Sequence, residues 1–413
     1  MKKIKRHLPI LTLIASIILL TVLLSKVHAA KSNANFIWKD VKGERSVLNG
    51  ISISGELADA YHRTKFIVEN GKVNYKTDVL DIPQTMYQQQ SEKEFTFHRA
   101  GQITNNFEVE LKDYSKTPSS SYARIITDIE YNLSKSLYGV SFVNTHHYGL
   151  TTISDKVFYT APTSTNAGGV NGIYELKFTE YYINTIQEKY NPRTLTTFEL
   201  NKVNDQTGIQ VLGLEAVGNK LALILIKNHK LTIRVFDSET GTQLGETNLK
   251  DDFFIGDQEN PEAKEVHRSN YDSFSYNDLL ILSFTSLGST ENDSKKTIIS
   301  IDFTDEVKII GINKGRFTNS TSRDSDNIEE MYYKNNKLYI VNTAVDRAKE
   351  NDVNRAVLLP KYIKVYVYDE NGLIYEGRLE TDIHDDYLRF TNEKGSIGIN
   401  NDEFRNFMNV SIY

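Results

Sequence analysis

One short pattern recurs along this chain: a tight turn containing Asn or Asp, then a strand of alternating or wholly apolar residues. The copies are Asp155-Lys156-Val157-Phe158-Tyr159, Asn219-Lys220-Leu221-Ala222-Leu223, Asp278-Leu279-Leu280-Ile281-Leu282 and Asn336-Lys337-Leu338-Tyr339-Ile340. Their turn residues stand 64, 59 and 58 residues apart. Each copy follows another short strand segment: GLTTI, GLEAV, DSFSY and EEMYY. Each is followed by two more. LTIRVFDSETGTQLGETNL matches YIKVYVYDENGLIYEGRLE, TIISIDFTDEVKIIGI supplies the equivalent pair, and GIYELKF with RTLTTFELN completes the set. A unit of four up-and-down strands therefore repeats about every 60 residues. A four-stranded sheet cannot bury both of its faces alone, so such units stack on one another.

The rest of the chain reads the same way. TKFIVENGKVNYKT has Asn70-Gly71 between two alternating arms, the strongest short-range hairpin signal. The 24 Tyr and 19 Phe suit pleated, half-buried surfaces. No stretch beyond Leu24 keeps an apolar period of 3.6 residues over three turns. Residues 156–413 thus resemble a β-propeller of the broad repeat superfamily. The resemblance lies in repeat architecture, since the chain has no Trp-Asp ending, no kelch double glycine and no sialidase-type Asp box. A fifth copy falls near Tyr387–Ile399, leaving FMNVSIY as the last strand. The strand near Ile51–Leu57 can complete that final unit and close the ring, removing two exposed edges. The expectation is an all-β fold, a β-propeller of six blades with seven as the alternative. A pair of joined β-sandwiches is the competing architecture.

The N-terminus carries a different signal. MKKIKRH holds four basic residues, and Leu8–Leu24 follows with no charge. This predicts a transmembrane or signal helix whose basic start stays in the cytoplasm. Seventeen apolar residues reach the lower limit for crossing a bilayer, while Val27-His28-Ala29 suits cleavage before Ala30. The expected layout is a leader or anchor at 1–29, a linker at 30–46 and an extracytoplasmic domain at 47–413. The expected location is the cell membrane, in a single pass with the C-terminal domain outside; the alternative is secretion after cleavage near Ala29. The wording of the chain fits a bacterial envelope of Gram-positive type. Beyond residue 29 the chain has 43 basic and 54 acidic residues, a net charge of −11. Nucleic acid, which needs clustered Lys and Arg, is a poor partner for such a surface. There are no cysteines, which excludes disulfides, thiolate metal sites and a cysteine nucleophile.

Chemistry-bearing motifs are sparse. His146-His147 is the densest histidine feature, and Asp324-x-Asp326 opens like a calcium loop. Both are weak metal candidates: the histidines lack a spaced third ligand, and Ile328 stands where a calcium loop wants an oxygen. G-x-S-x-G, a P-loop and a dinucleotide fingerprint are absent, and no cofactor is implied. Two readings follow. In the first, the domain is a binding, sensing or scaffolding module for a protein or an envelope ligand. In the second, it is a glycan hydrolase or lyase with carboxylates at the central funnel, as glycosidic cleavage requires two acids across a sugar. Three or more carboxylates converging on the axis would favour the second.

Overall fold

The computed structural model describes residues 13–24, 35–59, 62–79, 95–103, 106–113, 121–131, 146–164, 167–180, 192–200, 209–256, 265–287, 295–316, 327–344, 362–382 and 405–413. A helix spans 13–24, and no helix among the described residues is long and apolar enough to cross a membrane. Among the described residues that follow, all is strand and turn apart from short 3-10 helices at Arg45–Leu48 and His146–Gly149. The Asp324 and Asp326 candidates and the Tyr387–Ile399 copy lie outside the described residues.

The strands group into sheets in chain order. β1 (Phe36–Lys42) comes first, within the stretch read from sequence as a linker. β2 (Ser52–Ala58), β3 (His62–Glu69) and β4 (Lys72–Val79) form a meander. β5 (Phe95–Ile103), β6 (Asn106–Asp113) and β7 (Ser121–Tyr131) form another. Next come β8 (Leu150–Ile153), β9 (Lys156–Tyr159), β10 (Ala167–Glu175), the short β11 (Thr179–Glu180) and β12 (Arg193–Leu200). In this sheet β10 also pairs with β7, so the β5–β7 meander joins it. β13 (Gln210–Val217), β14 (Lys220–Lys227), β15 (Lys230–Asp237) and β16 (Gln243–Asn248) follow as an uninterrupted four-stranded sheet. A short β17 (Phe254–Ile255) pairs in parallel with the first strand of the next sheet: β18 (Val266–Tyr276), β19 (Leu279–Leu287), β20 (Lys295–Asp302) and β21 (Lys308–Arg316). The fourth repeat is β22 (Asn327–Lys334), β23 (Lys337–Ala344), β24 (Tyr362–Asp369) and β25 (Gly372–Thr381), with β1 added at its outer edge. Last, β26 (Asn406–Ile412) pairs with β2, giving the order β26-β2-β3-β4.

The four copies of the motif are the turns leading into β9, β14, β19 and β23. Each of these is the second strand of its sheet. Packing explains why this strand is so recognisable. Leu221, Leu223 and Leu225 of β14 enter one apolar cluster with the β8–β12 sheet. Ala222, Ile224 and Ile226 enter another, shared with β18–β20. In β23, Leu338 and Ile340 pack towards β19 and β20, whereas Tyr339 and Val341 pack towards β2, β3 and β26. A strand buried on both faces reads as a near-continuous apolar run. The turns obey backbone geometry as well. Asn70 and Gly71 have φ of 49° and 71°, and Asn335 and Asn336 have 53° and 57°, the paired positive φ of a type I′ hairpin.

The four apolar clusters each bridge neighbouring sheets, so the sheets form a consecutive face-to-face array of propeller type. Pairing of β26 with β2 brings the C-terminal strand into the N-terminal sheet; the sequence predicts that Ile51–Leu57 completes a C-terminal unit, whereas here β2, β3 and β4 supply three strands and FMNVSIY the fourth. A buried ionic cluster reinforces it. Arg405 Nε donates to Asp59 Oδ2 at 3.1 Å, and His62 Nδ1 lies 3.0 Å from both Asp59 oxygens. These side chains are 4–10% exposed. A buried charge stripped of its partner is costly, typically about 3 to 5 kcal/mol. Arg405→Ala is therefore expected to lower the urea unfolding free energy by about 3 kcal/mol, whereas Lys39→Ala, at a surface pair, is expected to change it by less than about 1 kcal/mol.

Candidate functional site

The sheet order gives the array two unlike faces. On one, the first strand of each repeat turns into the second through two residues: 154–155, 218–219, 277–278 and 335–336. These turns touch across repeats. Lys220 Nζ reaches Asp278 Oδ1 at 3.4 Å and also donates to the Phe303 carbonyl, and Lys156 Nζ donates to Glu239 at 2.6 and 2.7 Å. On the other, the outermost strands end and the next first strands begin, at Leu200 and Gln210, Asn248 and Val266, Arg316 and Asn327, and Thr381 and Asn406. The β23–β24 connection, 345–361, leaves from the same face. We call these the turn face and the connection face. Long connections on a rigid scaffold are where binding residues concentrate. The stretches 249–265 and 383–404 together hold eleven Asp and Glu against four Lys and Arg.

The first strands line the axial side of the array: β8, β13, β18, β22 and β26. They carry four carboxylates: Glu215, Asp272, Glu329 and Glu330. Glu215, on β13, accepts hydrogen bonds from Tyr271 Oη at 2.9 Å and Ser273 Oγ at 3.0 Å, both on β18 of the next sheet. Tyr148 packs on Tyr271 with ring centroids 4.9 Å apart. Gly213 makes room for this arrangement, since a Cβ there would stand 2.1 Å from Tyr271 Oη. Burial pushes Glu215 up to about 7, against the opposing effect of the two hydroxyl donors. Asp272 instead meets Lys296 Nζ at 3.0 Å, and Glu329 accepts from Thr343 Oγ1 at 2.5 Å. Glu330 is half-buried and is likewise raised to about 7, by burial alone. The structure therefore brings acids onto three of the five axial strands and commits three of the four to neighbouring side chains.

The metal candidates are placed as follows. His146 is fully buried, with Nδ1 3.2 Å from Tyr159 Oη, and burial lowers it to about 4. His147 lies against Tyr148 in a tilted contact, with ring centroids 4.0 Å apart. No group of three or more His, Cys, Asp or Glu poised to hold a metal occurs among the described residues. Two further histidines pack against aromatic rings. Phe253 stacks on His267 at 4.1 Å, and Phe254 lies against His229. The single tryptophan, Trp38, donates to Tyr375 Oη at 2.8 Å and helps hold β1 on β25. Glu215 and Glu330 have no sequence signature, because their protonation depends on which residues the neighbouring sheet lays over them.

No protein-family model matches the chain, and comparison with curated proteins finds no significant match. Among solved structures, the β-propeller domain of the Trilobed protease from Pyrococcus furiosus is 11% identical; 68% of this chain and 71% of that one align, at a TM-score of 0.24. A neuraminidase-like protein from A/bat/Guatemala/164/2009 is 8% identical over 82% of this chain and 77% of its own, at 0.30. A prolyl endopeptidase is 10% identical at 0.27, and this chain spans only 42% of its length. Likeness at these scores does not argue for an activity, and the propeller-type reading rests on the sheet order.

The raised carboxyls give a pH dependence of defined sign. A proton retained to about 7 when folded but released near 4.5 when unfolded stabilises fully below 4.5. That contribution is lost as pH rises through 7. Thermal melts should show wild-type stability falling between pH 5 and pH 8, with Glu215 contributing up to about 3 kcal/mol of the fall. Glu215→Gln, which keeps a hydrogen-bonding group and removes the charge, should flatten that slope. An unchanged slope would contradict the assignment.

Proposed function

We propose that this chain is a membrane-tethered, extracytoplasmic β-propeller that serves as a binding scaffold for a protein or an envelope ligand, engaged through its connection face. The observation that carries the reading is the state of the axial carboxylates. Three of the four are spent on contacts within the array, two of them on hydroxyl and ammonium groups and one on a seam between sheets. Rigid seams with long connections at one end suit recognition better than acid–base chemistry. We count the β5–β7 meander as the remaining unit, for six blades in all. The acidic connections favour a partner with basic groups and disfavour nucleic acid.

The tether reading is supported by the basic start, the uncharged Leu8–Leu24 run and the state of the helix at 13–24. Leu13, Ile17, Leu20 and Leu24 of that helix are about half exposed or more, which leaves an apolar surface with nothing of the array covering it. Lipid is the natural cover for such a surface. A second reading, glycan hydrolysis, is favoured by Glu330. This carboxyl is held near neutrality, as a general acid requires.

Two measurements test these statements. Carbonate extraction and N-terminal sequencing of the expressed protein should leave it in the membrane pellet with its N-terminus upstream of Ala30. Soluble protein beginning at Ala30 would replace the anchor with a cleaved leader. A panel of envelope glycans incubated with wild type and Glu330→Gln should show no turnover by either; turnover abolished by the substitution would move the assignment to the hydrolase.

A further inference from the structure

Four of the five axial strands carry a β-bulge, and the bulges lie at nearly one depth. In β13, Leu212 is an extra residue between Val211 and Gly213, whose partners Leu225 and Ile224 are adjacent on β14. In β22, Glu329 is extra between Ile328 and Glu330, opposite the adjacent Asn342 and Val341. In β18, residues 268–270 stand against the single Thr285, between the His267–Ser286 and Tyr271–Phe284 pairs. In β26, Asn409 and Val410 stand against Gly55 of β2. The four-residue β8 runs without a bulge. Each bulge begins at the third or fourth residue of its strand, counted from the connection face. The strands approach one another on the axial side, β13 with β18, β18 with β22 and β22 with β26. The bulges therefore form an arc just below the connection face. A bulge releases a residue from the ladder and re-aims its side chain, and bulges gather beside functional sites for that reason.

Leu212 turns into the core and is 3% exposed. The other bulges present polar groups. Arg268, Ser269 and Asn270 are exposed. β17 pairs with the edge of β18 at Val266 and His267 and ends there, so that edge is uncovered from Arg268 onward. Neither Arg268 nor Asn270 makes a hydrogen bond or ion pair with a described residue. The acids that flank Arg268 in the chain are engaged elsewhere. Glu265 accepts from Ser286 Oγ and Lys314 Nζ at 2.9 and 3.0 Å, and Asp272 accepts from Lys296 Nζ at 3.0 Å. In a domain of net charge −11, this guanidinium stands uncompensated. Glu330, beside the bulge of β22, is half-buried, and burial holds its proton to about 7. Asn409 has a φ of 51° and donates through Nδ2 to Glu56 Oε2 at 3.4 Å, which leaves its amide oxygen for another donor.

A guanidinium grips a carboxylate through two parallel N–H···O bonds. One such group, with Lys296 and Lys314 committed to acids of the array, suits a ligand with a single negative charge. Amide and protonated carboxyl groups both donate to and accept from hydroxyls. We infer that the arc of bulges binds a small hydroxylated carboxylic acid of the sugar-acid class, with Arg268 holding its carboxylate and Asn270, Glu330 and Asn409 meeting its hydroxyl groups. The site belongs to the axial strands and holds whether or not the chain is tethered to a membrane.

Calorimetric titration of the full-length protein in detergent tests this, with D-glucuronate as the probe and D-glucose as its neutral analogue. Wild type should bind glucuronate saturably and glucose not at all. Arg268→Gln should weaken glucuronate binding by about tenfold or more, the effect of losing charge-assisted hydrogen bonds. Asn270→Ala should weaken it by a smaller factor. Lys39→Gln, on the outer edge strand β1, should leave it unchanged. Arg268 is exposed and makes no contact within the array, so Arg268→Gln should keep the wild-type melting temperature, which separates lost binding from lost folding. No saturable binding of glucuronate, equal binding of glucose, or full affinity in folded Arg268→Gln overturns the inference. None of these results bears on membrane extraction or on a partner at the connection face.

Discussion

Every sheet in this array has an apolar face that its own strands cannot cover, and the rest of the structure follows from that need. Four clusters of buried residues each join one sheet to the next. A chain of stacked sheets still has two ends. Here the C-terminal strand resolves part of that problem by entering the N-terminal sheet as β26 beside β2. Arg405, Asp59 and His62 lock the junction with a buried ionic cluster. The C-terminal strand β26 thus stands at the edge of the β2–β4 sheet, while β1 adds to the outer edge of the β22–β25 sheet.

The seams between sheets also set the chemistry. Glu215 crosses from β13 to Tyr271 and Ser273 on β18, over a glycine that leaves space for the phenol. The same burial that makes this a good seam makes the carboxylate hard to ionise. Glu330 is raised by burial alone. Two half-buried acids near neutrality couple the stability of the array to pH between about 4.5 and 7. The histidines act in the opposite sense: burial lowers His146 and His267, so each adds stability that is lost as pH falls below the unfolded histidine value.

The repeat was legible because the second strand of each unit is buried on both faces and is entered by a tight turn. Those two demands leave an apolar run after Asn or Asp, at Asp155, Asn219, Asp278 and Asn336. That the final strand meets the Ile51–Leu57 region was readable from the count of strands, but not that β2–β4 form the sheet and β26 completes it. Other features had no local signature. β1 sits in polar text and pairs with β25 through backbone bonds that any sequence can make. The β5–β7 meander joins the next sheet through four residues of β10 and two of β11. The raised acids could not be read, since Glu215 looks like any strand glutamate until Tyr271 is laid on it. His146-His147, the most conspicuous polar pair in the text, proved to be a buried imidazole beside Tyr159 and a ring tilted against Tyr148.

The central claim is that the last strand, β26, pairs with β2 in a fixed register. Ser54 and Ser411 are directly opposed across β2 and β26. In this cysteine-free protein, the Ser54→Cys/Ser411→Cys pair should cross-link under mild oxidation, giving a species of raised mobility on denaturing gels and raised melting temperature. A control pair, Ser54→Cys with Thr304→Cys on the turn between β20 and β21, should stay reduced. Failure of the first pair to cross-link in folded protein, or equal cross-linking of both, would contradict the account.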